Sequence, residues 1–158
     1  MILPTNDEFF EMTHQSLTSI NENGFLNMRS GGLSTCYGFY DWFCSDQSLI
    51  NRSKQLLTKA NKIVKMLNMN ADEITVSFKN CCPVNGPTYD IIYFIDTRTD
   101  QYLFTVVPKS THTGLCEIYI DSPQNVNEKL LTICNAHRDS YEHESHFESF
   151  AAFIKLLK

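Results

Sequence analysis

Ile74-Thr75-Val76-Ser77-Phe78-Lys79 alternates apolar and polar side chains residue by residue. A period of two marks a strand with one buried face. Three more segments downstream read the same way. Tyr89-Asp90-Ile91-Ile92-Tyr93-Phe94-Ile95 and Tyr102-Leu103-Phe104-Thr105-Val106-Val107 are rich in β-branched and aromatic residues. Cys116, Ile118 and Ile120 alternate with Glu117, Tyr119 and Asp121. The links are Cys82-Pro83-Val84-Asn85-Gly86-Pro87, Thr97-Arg98-Thr99-Asp100 and the run from Pro108 to Gly114, all turn-forming and too short for a crossover helix. The expectation is a four-stranded antiparallel β-meander over about 73–121.

Helical spacing flanks this block on both sides. Thr5 to Glu8 forms a capping box after Pro4, and Phe9, Met12, Leu17 and Ile20 recur at near-helical intervals up to Asn23-Gly24, so a helix is expected over about 6–22. Residues 24–35 hold three glycines and no clear period and read as a loop. Within them Ser30-Gly31-Gly32-Leu33-Ser34-Thr35 lacks the Gly-Lys-Ser/Thr ending of a phosphate loop. The strongest helix runs over about 46–68, with Leu56, Leu57, Ala60, Ile63, Val64 and Leu67 on one side and Arg52, Lys54, Lys59, Lys62 and Lys65 on the other. Asn125 or Asn127 caps a further helix through Leu130, Leu131, Ile133 and Cys134. A last helix over about 143–157 would bury Phe147, Phe150, Ala151, Ile154 and Leu157. Strands grouped together with helices before and after make a single α+β domain over 1–158, packed with N-terminal, central and C-terminal helices and with one sheet face left for water or a partner.

Composition narrows the function. A chain of 158 residues with 20% charged side chains suits one globular domain. The opening Met1 to Glu8 has no basic stretch and turns acidic, and no run is long and apolar enough to span a bilayer, so a cytoplasmic protein without a membrane partner is expected. On that reading the six cysteines are small buried hydrophobes rather than disulfides. The net charge is −5, and the whole excess of acids lies after residue 71. Such a surface argues against direct nucleic-acid binding and for a protein partner with a basic surface.

The candidates for chemistry are sparse. Three of the five histidines lie in His137-Arg138-Asp139-Ser140-Tyr141-Glu142-His143-Glu144-Ser145-His146. On the expected helix His143 and His146 share a face, but the zinc-peptidase pattern His-Glu-x-x-His places its second histidine one residue later. The polar start of a helix accounts for the same residues, and neither a metal nor another cofactor is expected. No histidine lies close in sequence to Cys36, Cys44 or the Cys81-Cys82 pair, the cysteines near a turn or helix start, so no thiol nucleophile is singled out. Asp96 and Asp100 flank a turn, while Asp90, Glu117 and Asp121 would lie on the solvent face of the strands.

Recognition is the remaining possibility. Tyr37-Gly38-Phe39-Tyr40-Asp41-Trp42-Phe43 packs five rings into seven positions. These rings serve as core anchors or as an interface, and Tyr37, Tyr40 and Trp42 are the ones assigned to a partner, beside the acids Asp139, Glu142, Glu144 and Glu148. Asparagine, 13 of 158 residues, together with the many isoleucines and lysines, points to an AT-rich genome of the kind found in phages and mobile elements. In general style the chain resembles small phage inhibitors of host defence enzymes, such as anti-CRISPR proteins, and bacterial immunity proteins. That resemblance implies a non-enzymatic inhibitor that occupies the basic surface of a nucleic-acid-handling enzyme. The alternative is a small enzyme using a His/Glu metal cluster or a cysteine nucleophile.

Overall fold

The computed structural model describes residues 27–35, 46–81, 89–139 and 144–158. In chain order these form β1 (Asn27–Thr35), α1 (Asp46–Met66), β2 (Ile74–Cys81), β3 (Tyr89–Asp96), β4 (Tyr102–Val107), β5 (Cys116–Ile120), α2 (Glu128–Ala136), β6 (Glu144–Phe147) and α3 (Phe150–Leu156), with short 3-10 turns at Ala71–Glu73 and Pro123–Asn125. The strands make one sheet in sequence order, β1 to β6. From β2 to β6 every pairing is antiparallel, whereas β1 pairs parallel to β2. The expected helix over 6–22 and the aromatic segment with Tyr37, Tyr40 and Trp42 lie outside the described residues, as does Glu142.

The α+β character and the four meander strands are as the alternation predicts. Two further strands correct the count. Residues 27–35, read as a loop, form β1. Its register against β2 shifts between Met28 and Leu33, the interval that holds Gly31 and Gly32. Glycine is tolerated where a ladder is interrupted, and that interruption hides the period of two. A parallel neighbour needs a crossover, and α1 lies in the connection from β1 to β2. The second correction concerns 143–157. There the chain forms a four-residue strand and a seven-residue helix in place of one helix. Ser149 ends the strand by capping α3, its side chain accepting from the Ala152 N–H at 3.0 Å.

Register sorts the side chains into two faces. Val76, Phe94, Phe104 and Ile120 lie opposite one another across four strands, and Phe78, Ile92, Val106, Ile118 and Ser145 across five. The apolar members of these rows, with Ile120 half-buried at the margin, form one cluster with Leu56, Leu57, Ala60, Ile63, Val64 and Leu67 of α1 and its end, Leu130 and Cys134 of α2, and Phe153, Ile154 and Leu157 of the C-terminal segment. Phe94 and Phe104 stack with centroids 4.3 Å apart. The α1 stripe is thus the one its periodicity predicts. In α3 the anchor is Phe153; Phe150 is half-buried and Ala151 is exposed, because the helix starts seven residues later than expected.

Helix ends join these layers. After α1, Asn68 adopts the left-handed conformation with φ 53°. Its N–H bonds to Lys65 O at 3.1 Å, and Met69 N–H bonds to Val64 O at 2.9 Å, which closes the helix in a Schellman turn. Asn127 caps α2 by accepting from Lys129 N–H at 2.9 Å and also donates to Leu67 O at 3.0 Å. Among the described residues no helix is long and apolar enough to cross a membrane.

Candidate functional site: an imidazole between carboxylates

The second sheet face carries a different row. Ser77, Tyr93, Thr105, Tyr119 and Glu144 lie opposite one another across five strands, with Val107, Glu117 and His146 in the next row. Glu117 faces His146, and Tyr119 faces Glu144. Residues two apart on a strand share a face, so four polar side chains meet at the corners of one cross-strand square.

His146 is the centre of this square. Its Nε2 lies 2.8 Å from Glu144 Oε1 and 3.7 Å from Glu117 Oε2, and its Nδ1 lies 3.8 Å from Asp139 Oδ2. Asp139 is held there by backbone pairing: Asp139 N–H donates to Glu144 O at 2.9 Å and His146 N–H to His137 O at 3.0 Å. The Glu117 side chain is only 8% exposed. Its two oxygens accept from Tyr119 OH and from Thr113 Oγ1, each at 3.2 Å. Thr113 is supplied by the β4–β5 loop, whose Gly114 sits at φ 72°, a value that suits glycine. Burial, then the hydrogen bond to Glu144 and the charges of both glutamates, push the Tyr119 phenol well above its ordinary range, so it stays a protonated donor.

This arrangement differs from the sequence reading in three respects. Glu117 is buried rather than solvent-facing, because Thr113, Tyr119 and His146 surround it. Asp90 has the opposite parity from Tyr93 and lines a cleft of about 840 Å³ with Lys59, Lys109, Glu148 and Phe150. His137 does not join His146. Its ring lies 4.8 Å from Phe147 and its Nδ1 is 3.0 Å from Ile133 O, on the helix-covered side. With 144–147 extended, His146 pairs with Glu144 two residues away; His143 lies outside the described residues.

Of the acids assigned to a partner, Asp139 and Glu144 come together at His146, while Glu148 lines the cleft with Asp90 and Lys59 and a smaller cavity with His137 and His146. The candidate residues not anticipated are Glu117 and Tyr119 as neighbours of His146. Their signal was the matching alternation of Glu117-x-Tyr119 and Glu144-x-His146, which becomes informative only once both are strands. Asp96 serves its turn, accepting from Arg98 N–H at 2.8 Å. Cys116 and Cys134 are free and buried. Burial pushes the Cys116 thiol up to about 12 and the Cys134 thiol to about 11, which makes both poor nucleophiles. Compared with known proteins, the chain matches no family model, no curated protein and no solved structure.

Proposed function

We propose that the protein is a non-enzymatic binding protein that occupies the basic surface of a nucleic-acid-handling enzyme and so antagonises it. The observation that carries this reading is the placement of acids with tyrosines around the second sheet face. Tyr93 and Tyr102 pack with centroids 5.5 Å apart and Tyr102 is 43% exposed, Asp121 accepts from Thr105 opposite Tyr93, and Asp139 and Glu144 meet at His146. Aromatic rings supply anchoring area and carboxylates steer a cationic partner into register. Tyr37, Tyr40, Trp42, Glu142 and Glu148 are the further residues that the sequence assigns to the partner.

The test starts from the intact protein used as bait in its host lysate at low and high salt. The captured enzyme is then purified and its association rate measured against wild type and a variant carrying Asp139→Asn, Glu142→Gln, Glu144→Gln and Glu148→Gln. The variant should associate about tenfold more slowly at low salt, with a flattened salt dependence, and wild type should compete with nucleic acid for the enzyme. Unchanged kinetics, or binding that leaves nucleic acid in place, would sink the reading. The convergence of Glu117, Glu144 and His146 favours a second reading, a small enzyme working at that cluster.

A further inference from the structure

Three donor atoms at the centre of the square have the arrangement of a coordination site. One oxygen each from Glu117 and Glu144 and a ring nitrogen of His146 all lie within 4.8 Å of one another. Metal–nitrogen and metal–oxygen bonds of about 2.0–2.2 Å hold neighbouring donors about 3.0–3.5 Å apart. The separations from His146 Nε2, 2.8 Å to Glu144 and 3.7 Å to Glu117, straddle that range. Small rotamer adjustments therefore suffice to close the triad on one ion.

Charge gives a second and independent reason. Glu117 is buried and Glu144 is 13% exposed, yet among the described residues neither is ion-paired with a lysine or arginine. Two carboxylates face one imidazole, with Asp139 beyond it. A protonated imidazole balances one of these charges at most. A divalent cation balances both glutamates and leaves His146 neutral as a ligand.

We infer that Glu117, Glu144 and His146 bind a divalent transition-metal ion. The donor set selects the class. Calcium and magnesium prefer all-oxygen shells, and structural zinc sites are closed by four protein ligands, commonly thiolates. One imidazole and two carboxylates suit zinc or manganese, with zinc tighter by the general affinity order of divalent metals. Three protein ligands leave a coordination position for an exogenous group, and the Tyr119 hydroxyl, hydrogen-bonded to Glu117, fixes that carboxylate's orientation. Asp139 lies 3.8 Å from Nδ1, on the far side of the ring from Nε2. The inference goes beyond partner binding and stands whether or not the protein is catalytic.

The experiment uses the full chain, stripped with EDTA and kept reduced, titrated calorimetrically with Zn2+ alone and, separately, with Mn2+ followed by loss of the free-ion electron paramagnetic resonance signal. Manganese is the control for thiols, which bind it poorly. The expected result is one ion per chain for each metal, a rise in melting temperature with Zn2+, and an affinity lowered by about 100-fold or more in Glu144→Gln and His146→Asn. Glu117→Gln should do the same; because this side chain is buried, its fold is checked by circular dichroism, and the other two variants carry the test if it unfolds. Absence of saturable binding, or binding of equal strength in Glu144→Gln and His146→Asn, would overturn the inference, the first pointing to a protonated imidazole as the counter-ion and the second to a different site. Partner capture is not part of this readout, so the metal site and the proposed function fail separately.

Discussion

Cys116 and Cys134 are fully buried, and the protein keeps their thiols protonated well past the ordinary value of 9.0. For Cys116 burial acts first, followed by the proximity of Cys134 and Glu117. An unfolded chain ionises both thiols above pH about 9, whereas the folded one retains the protons up to about 11 and 12. A raised folded value means that the folded state binds the proton more tightly. Its stabilising contribution is therefore complete below pH 9 and is lost as pH climbs toward 11–12. Urea midpoints should stay level up to about pH 8.5 and fall steadily above 9, and the double variant Cys116→Ala/Cys134→Ala should show a shallower fall. Tyr119 acts in the same direction. Removing its hydroxyl in Tyr119→Phe leaves Glu117 with one donor fewer and should cost about 1–2 kcal/mol by urea denaturation at pH 7. A neutral result would mean that the hydroxyl does not hold the glutamate.

Single contacts between elements hold the helices to the sheet. Asn127 performs two tasks with one amide, capping α2 through its oxygen and reaching the end of α1 through its nitrogen. Asn127→Asp keeps the cap and loses the reach; Asn127→Ala loses both. Alanine should therefore cost about 1–2 kcal/mol and aspartate less, in that order, by equilibrium unfolding. Equal costs would show that the bond to Leu67, not the cap, carries the contribution. In the sheet, the stacked pair Phe94 and Phe104 lies at the centre of the covered face. Phe94→Ala opens a cavity beneath α1 that rigid strands cannot close, with an expected loss of about 3–5 kcal/mol. The same elements place the candidate site. The register between β5 and β6 sets Glu117 against His146, and one residue of slip would turn His146 onto the opposite face.

At the scale of the molecule, one hydrophobic cluster joins α1, strands β2 to β6, α2 and the C-terminal segment. A core shared so widely should unfold in one step, so far-UV and near-UV circular dichroism should report the same urea midpoint. Separate transitions would show that the layers are energetically independent. Much of this architecture was legible in the chain itself. The α1 stripe, the four meander strands, the turns at 97–100 and 108–114 and the Asn127 cap follow from local periodicity and turn chemistry, because each is decided by residues within a few positions of one another. The acidic second half follows from counting. Three features needed the folded molecule. The β1 segment is a strand because β2 offers it a parallel edge across α1, and its glycines conceal the alternation. Residues 144–147 are a strand because β5 pairs with them, a preference that four residues cannot express alone. The meeting of Glu117, Tyr119, Glu144 and His146 depends on that pairing. Sequence specifies which residues share a face of their own element; only tertiary register specifies which faces meet, since hydrogen-bonded strands bring together residues nearly thirty positions apart.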